Sequence, residues 1–341
     1  MKKILIFIPI MLILCDPQGC SASENRETSD RFIPGSCTIF AVSFGGSVFF
    51  GNNEDWINPL TYCWVEPPGT DKYGVLCFGF DNLYPQGGIN EKGLAFDANA
   101  LPVITMKKNQ DGIKPYHAIV NTILMQKCAT VSEAIETAKR YDWSQCYGGK
   151  LDGQFLLADA LGDAVVISAD TSGELVFTRK VEGNGYLVST NFNRACPENR
   201  YGRYPCNRYD TTVKMLKAID SDRDLTLDYL ASILNAVHVE GRKLNTLYSN
   251  IFDLKNGVAY LYFWHQFDSP VTFDVPETIA RGLEPTQIKT LFPAGIVDQA
   301  AAEFRSYKRK RIFILAGWVV LLISIAAFII VRKLRRDHKT G

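Results

Sequence analysis

The sequence predicts one α+β domain between residues 37 and 304, with sheet faces covered by helices. Candidate strands come first, two helical stretches interrupt them, and strands and helices follow again. Hydrophobic residues make up 47% of the 341-residue chain and charged residues 21%, so the chain is globular rather than disordered. Apolar stretches lie on both sides of this domain.

The N-terminal end resembles a secretory signal. In residues 1–23, Lys2 and Lys3 precede an apolar core, and small residues follow at positions 21–23. Residues 24–36 are polar and form a propeptide or linker. We therefore expect the domain to be exported.

The C-terminal end contains an apolar stretch of 20 residues, 312–331, between basic flanks. This length spans a bilayer core of about 30 Å, and the basic flanks favour a single transmembrane helix over a buried core helix. We expect a single-pass membrane protein that contacts the lipid bilayer through 312–331. The catalytic domain would lie on the extracytoplasmic side and the short basic tail, 332–341, in the cytoplasm.

Patterns of apolar residues place the strands and helices of the domain. Strand candidates are 37–44, 47–51, 61–65, 74–80, 93–98, 154–158, 164–168, 175–178, 186–189, 246–251 and 257–264. Helix candidates are 117–127, 134–138 with Thr130 and Glu133 as a capping box, 210–219, and 227–237 with Thr226 as N-cap. Gly45 and Gly46 predict a two-residue hairpin turn between the first two strands.

Seven cysteines follow the predicted signal, an odd number for an oxidising compartment. Six of them can form three disulfide bridges. If neighbours in the sequence pair, the bridges are Cys63 with Cys77, Cys128 with Cys146, and Cys196 with Cys206. The alternative is that most are small buried hydrophobic residues. No Cys or His cluster has zinc-ligand spacing, and no metal or cofactor is expected.

Cys37 is the candidate nucleophile. It follows the turn-forming stretch 33–36 and begins a hydrophobic strand, so cleavage after Ser36, by the chain itself or by another protease, would free its α-amino group. The thiol then attacks, and the α-amine, with an ordinary pKa of about 8, takes the proton. The alternative is a buried strand cysteine or a disulfide partner.

Five short motifs resemble, in order, the choloylglycine hydrolase and penicillin V acylase group of N-terminal-nucleophile hydrolases. They are CT at 37–38, GNNEDW at 51–56, GINEKGL at 88–94, DALGDA at 159–164 and STNF at 189–192. Acid ceramidase, N-acylethanolamine acid amidase and the acyl-coenzyme A:6-aminopenicillanic acid acyltransferase group look like wider relatives. The resemblance implies a four-layer αββα sandwich and hydrolysis of linear amide C–N bonds.

The resemblance also implies roles for individual residues. Cys37 would be the nucleophile, Asp55 would orient its α-amine, and Asn191 would donate its side-chain amide to the oxyanion. Arg208 falls where the family has an arginine near the nucleophile. The alternatives are ordinary turn residues for Asp55 and Asn191 and a solvated surface side chain for Arg208.

Two further positions complete the implied site. Asn99 lies near the family's second oxyanion donor, although a shift of one residue would place Ala100 there. Relatives usually carry Arg where this chain has Asn52, which can form hydrogen bonds but cannot supply the charge that favours a thiolate. Arg208 or another cation would compensate, or turnover would be slower, or the specificity would be that of a distant branch.

The expected function is hydrolysis of a small N-acyl amide through a Cys37 thioester. Candidate substrates are N-acyl amines, N-acyl amino acids, and amides like bile-salt conjugates or penicillin V. Residues 37–304 contain 23 basic and 31 acidic residues, a net charge of −8, so nucleic acid is not an expected partner. Acyl transfer, a processing peptidase, and a membrane-tethered binding module without the chemistry are the alternatives.

Overall fold

Two antiparallel sheets form the centre of the protein, as a computed structural model shows. The structure describes residues 37–303, with gaps at 182, 184, 197–204, 222, 242 and 243, together with residues 305 and 323–325. The strands are β1 (Thr38–Phe44), β2 (Ser47–Trp56), β3 (Thr61–Glu66), β4 (Val75–Phe80), β5 (Pro85–Asn90), β6 (Ala95–Thr105), β7 (Lys150–Ala158), β8 (Ala164–Ala169), β9 (Leu175–Arg179), β10 (Tyr186–Ser189), β11 (Asn245–Asp253), β12 (Val258–Phe263), β13 (Val271–Asp274) and β14 (Thr286–Gln287). Six of them pair in the order β10-β1-β2-β11-β12-β13, and the other eight in the order β14-β3-β4-β5-β6-β7-β8-β9.

The α-helices are α1 (Met125–Lys127), which continues a π-helical stretch at Ile119–Leu124, α2 (Val131–Lys139), α3 (Asn207–Leu216), α4 (Leu227–Ala236) and α5 (Val275–Arg281). The first four lie on the outer faces of the sheets, whereas α5 packs on the core between the sheets through Val275 and Ile279. The π-helical stretch, α1 and α2 pack on the eight-stranded sheet, and α3 and α4 pack on the six-stranded sheet. The four layers, helices, sheet, sheet and helices, confirm the α+β sandwich that the resemblance predicted.

The core between the sheets is built from aromatic side chains. Phe78 of the eight-stranded sheet lies 5.8 Å from the Phe252 ring of β11, and Phe252 lies 5.8 Å from Phe50 of β2. All three side chains are fully buried. Stacked rings at this spacing bury large apolar areas and fix the distance between the two sheets.

Strand β2 is longer than the sequence pattern suggested. We predicted its end at Gly51, because the polar run 52–55 looks like a turn, but the strand continues to Trp56. β2 pairs with β1 on one side and β11 on the other. The polar run is therefore buried in the centre of a sheet between two other layers, and both of its faces carry contacts.

Strand β5 was missed for a related reason. Its sequence, PQGGIN, has the composition of a turn, but the two glycines are required by close packing in the sheet. A side chain at Gly88 would lie 2.6 Å from the Leu76 carbonyl oxygen. The short elements β13, α5 and β14 were also absent from the prediction.

The predicted helices are present with changed bounds. Thr130 caps α2 by accepting a hydrogen bond from the Glu133 N–H, and Thr226 caps α4 in the same way through Tyr229. The helix predicted at 210–219 begins three residues earlier, at Asn207. The stretch predicted at 117–127 is mostly π-helical.

The suggested disulfides are wrong. All seven cysteines in the described part of the chain are free and buried. Cys63 and Cys77 are on neighbouring strands, but Cys63 belongs to the core between the sheets and Cys77 to the core under α2, so their side chains lie on opposite faces of the sheet. The alternative, that these cysteines are small buried hydrophobic residues, is the one that the structure supports.

The predicted targeting segments lie outside the described residues. These are the signal at 1–23, the propeptide at 24–36, the tail at 332–341 and, except for positions 323–325, the predicted transmembrane segment at 312–331. Within the residues that the structure describes, no helix is both long enough and apolar enough to cross a bilayer.

The aromatic core makes a first prediction about stability. Phe78→Ala should lower the free energy of unfolding by about 3–5 kcal/mol, because it empties a buried aromatic site between the sheets. Chemical denaturation measures this value. The matched control Leu161→Ala removes a side chain that is 81% exposed, and should change stability by less than about 0.5 kcal/mol. Equal losses in the two variants would contradict the central position of Phe78.

Candidate active site

Cys37 lies directly before β1 and is buried. Ile39 and Ala41 belong to the core between the sheets, so the alternation of side chains along the strand directs Cys37 toward the same core. Its carbonyl oxygen accepts two hydrogen bonds, from Asn99 Nδ2 at 3.0 Å and from Arg208 Nη1 at 2.8 Å. The first residue of the domain is therefore held in place before any cleavage occurs.

Arg208 brings several segments together from the first turn of α3. Its Nη1 also donates to Thr38 Oγ1 at 2.6 Å, and its Nη2 donates to Asn191 Oδ1 at 2.9 Å. Nη1 lies 3.8 Å from Asp55 Oδ2. The alternative of a solvated surface arginine is wrong, since only 17% of the side chain is exposed.

Asp55 is a buried carboxyl group at the end of β2. Its Oδ1 accepts a hydrogen bond from Thr246 Oγ1 at 2.5 Å, across the pairing of β2 with β11. Burial raises the pKa of Asp55 to about 7, and the Arg208 charge and the Thr246 hydroxyl act against this shift. The backbone N–H of Asp55 faces the Cys37 thiol and lowers the pKa of that thiol.

The two predicted amide donors have different surroundings. Asn99 is fully buried on β6, accepts from Ser189 Oγ, and lines the same cavity as Cys37. Asn191 lies in the turn after β10 and donates to the Ala100 carbonyl oxygen at 2.9 Å. Asn191 therefore reaches Cys37 through Arg208, whereas Asn99 contacts it directly.

The turn that carries Asn191 is held by Gln154 of β7. Gln154 Nε2 lies 2.8 Å from both the Thr190 and the Phe192 carbonyl oxygens, and its Oε1 accepts from the Arg194 N–H at 3.0 Å. One buried amide thus satisfies the backbone on both sides of Asn191, which keeps the turn in a single conformation.

Asn52 has no hydrogen bond to the other predicted site residues within the described part of the chain. It is fully buried and lies opposite Ile39 on β1 and Asn250 on β11. Neither Asn52 nor Asn250 has a hydrogen-bond partner for its side-chain amide within the described residues. Asn52 therefore supplies no charge to the site.

Glu54 is the site residue that sequence reasoning missed. The Cys37 thiol donates to Glu54 Oε1 at 3.5 Å, and Glu54 Oε2 has no partner within the described residues. Burial and then the negative charge of Asp55 raise the pKa of Glu54 to about 8. The available signal was a charged residue inside the GNNEDW motif, but the motif looked like a turn rather than a buried strand.

A second carboxyl group, Asp97, lies near Glu54. It is fully buried on β6, and neither of its oxygens has a partner within the described residues. Burial and the Glu54 charge raise its pKa well above the ordinary value. Gly87 on the neighbouring strand leaves room for this side chain, because a Cβ there would lie 2.2 Å from Asp97 Oδ2.

Burial sets the protonation state of the Cys37 thiol. It raises the pKa of this thiol well above its ordinary value, and any negative charge on Glu54, Asp55 or Asp97 raises it further. The thiol is therefore protonated at neutral pH. If the sulfur is to attack a substrate, a base must remove this proton.

A cavity of about 340 Å³ opens beside Cys37. Its lining includes Glu54, Asp55 and Asn99, which lie near Cys37, and several aromatic rings. A volume of this size accommodates a small organic molecule. Within the described part of the chain, no cluster of three or more His, Cys, Asp or Glu side chains is arranged to hold a metal ion.

A four-layer sandwich with a cysteine at the start of its first strand is the architecture expected of an N-terminal-nucleophile hydrolase. The chain belongs to the acyl-coenzyme A:6-aminopenicillanic acid acyl-transferase family, whose model matches residues 44–267. The matched segment contains Asp55, Asn99, Asn191 and Arg208, and Cys37 lies just ahead of it. No curated protein sequence matches the chain significantly.

Solved structures show the same fold. A mutant conjugated bile acid hydrolase from Clostridium perfringens is similar with a TM-score of 0.57 and 19% identity, over 74% of this chain and 96% of that chain. Another variant of that hydrolase gives a TM-score of 0.56 at 19% identity, with the same coverage. Penicillin V acylase from Agrobacterium tumefaciens gives 0.50 and 16%, over 70% and 84%. The predicted resemblance to this group is confirmed.

The raised pKa of Glu54 predicts how stability depends on pH. Between the ordinary value of 4.5 and the folded value of about 8, the folded protein keeps a proton that the unfolded chain releases. The free energy of unfolding should therefore fall as pH rises through this range. Glu54→Gln should reduce the fall, with Asp55 and Asp97 responsible for the remainder.

Denaturation at a series of pH values tests this dependence. The matched control is Glu277→Gln, which changes an exposed glutamate on α5 and should keep the wild-type pH profile. An unchanged profile in Glu54→Gln would show that Glu54 is not a buried carboxyl group that holds its proton.

Proposed function

We propose that the protein is an exported, membrane-anchored amidase that cleaves the C–N bond of a small N-acyl compound through a Cys37 thioester. The convergence of Asp55, Asn99 and Arg208 on Cys37, beside a cavity of substrate size, carries this proposal. Family membership supports acyl chemistry. Conjugated bile acids and penicillin V are the compounds for which two proteins of similar fold are named.

The reaction begins after removal of residues 1–36, which frees the α-amine of Cys37. Asp55 orients this amine, and the amine accepts the thiol proton as Sγ attacks the acyl carbon. The amine then passes the proton to the leaving nitrogen, and the C–N bond breaks to leave a thioester on Cys37. Water hydrolyses the thioester and regenerates the thiol.

The tetrahedral intermediate needs hydrogen-bond donors at its oxyanion. We assign this role first to Asn99, since its side chain contacts Cys37 and lines the cavity. Asn191, predicted from the sequence as the main donor, holds Arg208 and the Ala100 carbonyl and acts as the second amide of the site.

Acyl transfer is the second candidate function. The matching family model is that of an acyl-transferase, and an amine can attack the same thioester in place of water. Adding a nucleophilic amine to the assay separates the two reactions. A hydrolase releases the free acid, whereas a transferase forms a new amide in its place.

A membrane-tethered binding module on the same fold would lack both reactions. An electrophilic thiol probe distinguishes it from an enzyme, because an enzyme should react first at Cys37 although the described residues contain six other cysteines. A processing peptidase would instead cleave internal peptide bonds, which a peptide panel detects.

The nucleophile makes the central prediction. Cys37→Ala should reduce amine release from a panel of N-acyl compounds by several orders of magnitude, because no thioester can form. The matched control Cys128→Ala changes another buried cysteine, which contacts Thr137 under α2, and should keep its activity. Amine release by Cys37→Ala at the wild-type rate would contradict the proposal.

A further inference from the structure

The cavity beside Cys37 is acidic. Its described lining contains four carboxyl side chains, Glu54, Asp55, Asp81 and Asp152, and no Lys, Arg or His among the described residues. Asp81 and Asp152 are exposed, whereas Glu54 and Asp55 are buried at the Cys37 end. Glu54 Oε2 has no hydrogen-bond partner within the described residues. Glu54 keeps its proton at neutral pH, so the negative charge that a ligand meets at the exposed end belongs to Asp81 and Asp152. These carboxylates would repel an anionic ligand and would pair with a cationic one.

Aromatic rings also line the cavity. The rings of Trp56 and Phe80 lie 5.8 Å apart, and those of Tyr147 and Phe155 lie 6.2 Å apart. All four residues line the cavity. Aromatic faces pack against methylene groups and attract ammonium groups through their π electrons.

We propose that the half of the substrate in this cavity is a positively charged alkylamine chain, as in N-acyl diamines, N-acyl polyamines or N-acylated basic amino acids. This assignment rests on the proposed amidase function. The ammonium group pairs with Asp81 and Asp152, the methylene groups pack on the rings, and the amide carbonyl lies at Cys37.

Three amides with one acyl chain test the preference. The full-length protein is assayed with N-dodecanoyl derivatives of 1,5-diaminopentane, pentylamine and 5-aminopentanoic acid, which carry a positive, no and a negative charge at the same distance. We expect kcat/KM to fall in that order, with at least about a tenfold difference between the cationic and anionic amides. A second series carries the same three charges on the acyl half.

Variants at the exposed end connect the preference to the cavity. The measured quantity is kcat/KM for the cationic amide divided by kcat/KM for the neutral amide. Asp81→Asn and Asp152→Asn should each lower this ratio by about fivefold, which corresponds to the loss of one exposed ion pair. The control Asp111→Asn removes an exposed carboxylate that does not line the cavity and should keep the wild-type ratio.

The outcomes separate the substrate class from the function. Equal or anion-preferring hydrolysis in both series overturns the proposed charge. Binding of the uncleaved amides to Cys37→Ala, measured by calorimetry, provides a readout that does not need hydrolysis. Preferential binding of the cationic amide without hydrolysis by the wild type would support the charge assignment and refute the amidase.

The contact between the thiol and Glu54 carries a second inference, about the uncleaved chain. There the nitrogen of Cys37 is part of a peptide bond and is not basic, so the base of the mature enzyme is missing. Glu54 Oε1 lies 3.5 Å from Sγ and accepts its hydrogen bond. Most Glu54 side chains keep their proton at neutral pH, but the ionised fraction grows as pH approaches about 8, and this carboxylate is a stronger base than an ordinary one.

We infer that the chain itself cleaves the bond between Ser36 and Cys37, with Glu54 as the base. The inference rests on the proposed function, which requires this bond to be cleaved. Glu54 accepts the Sγ proton as the sulfur attacks the Ser36 carbonyl carbon. It then gives this proton to the Cys37 nitrogen as the C–N bond breaks, which leaves a free α-amine and a Ser36–Sγ thioester. Water hydrolyses the thioester and releases residues 1–36 with a free carboxyl group.

Self-cleavage is followed by intact mass on the full-length chain. Glu54→Gln should slow the appearance of the chain that begins at Cys37 by about 10²-fold or more, the usual contribution of a general base. The matched control Glu277→Gln should cleave at the wild-type rate. Cleavage of Glu54→Gln at the wild-type rate would overturn the inference.

External cleavage separates a loss of the base from a loss of the fold. Pro34→Glu with Ser36→Arg turns residues 33–36 into Ile-Glu-Gly-Arg, a factor Xa site directly before Cys37. Glu54→Gln in this background, once cut, should show the same single cooperative unfolding transition as the cut background that keeps Glu54. Loss of this transition would attribute the slow self-cleavage to a damaged fold and would overturn the specific role of Glu54. Failure of the cut background without Glu54→Gln to hydrolyse any amide would count against the proposed function alone.

Discussion

The guanidinium of Arg208 is the interaction on which the site depends. It connects the start of β1, the end of β2, the turn after β10 and its own helix α3, segments separated by up to 171 positions along the chain. Arginine suits this role because its planar group stays charged and presents several donors in a fixed geometry. Asp55, buried beside it, would otherwise be a carboxylate without a positive partner, which folded proteins rarely tolerate.

The other ionisable groups near Arg208 are neutral rather than charged. Glu54 and Asp97 lie buried in the same region with oxygens that have no partners among the described residues, so burial keeps them protonated to unusually high pH. The Cys37 thiol is likewise kept neutral. Asn52 adds no charge that would favour a thiolate. If Cys37 is the nucleophile, as proposed, its proton must therefore be transferred at the moment of attack rather than lost in advance.

The sequence predicted the fold where local signals and burial agree. The Gly45-Gly46 hairpin is present with both glycines at positive φ, and the threonine caps of α2 and α4 begin their helices. The sequence-based prediction failed where polar residues are buried, as in the second half of β2, because a run of polar residues there has the composition of a turn. Cys37, Asp55, Asn99, Asn191 and Arg208 were placed by family resemblance and meet in space. Glu54 and Asp97 needed the structure. The pairing of β1 with β2 brings Glu54 beside the thiol, and the stacking of the two sheets brings Asp97 of β6 near it.

The anchoring of Cys37 by Asn99 and Arg208 has a consequence for maturation. Both hydrogen bonds go to its carbonyl oxygen, which belongs to the bond on the C-terminal side and is untouched by cleavage after Ser36. New chain ends usually fray, but this one would inherit a position established while the precursor folded. The loss of residues 1–36 would therefore create a charged chain end without making that end mobile. The new α-amine would then already be aligned with the sulfur of the same residue.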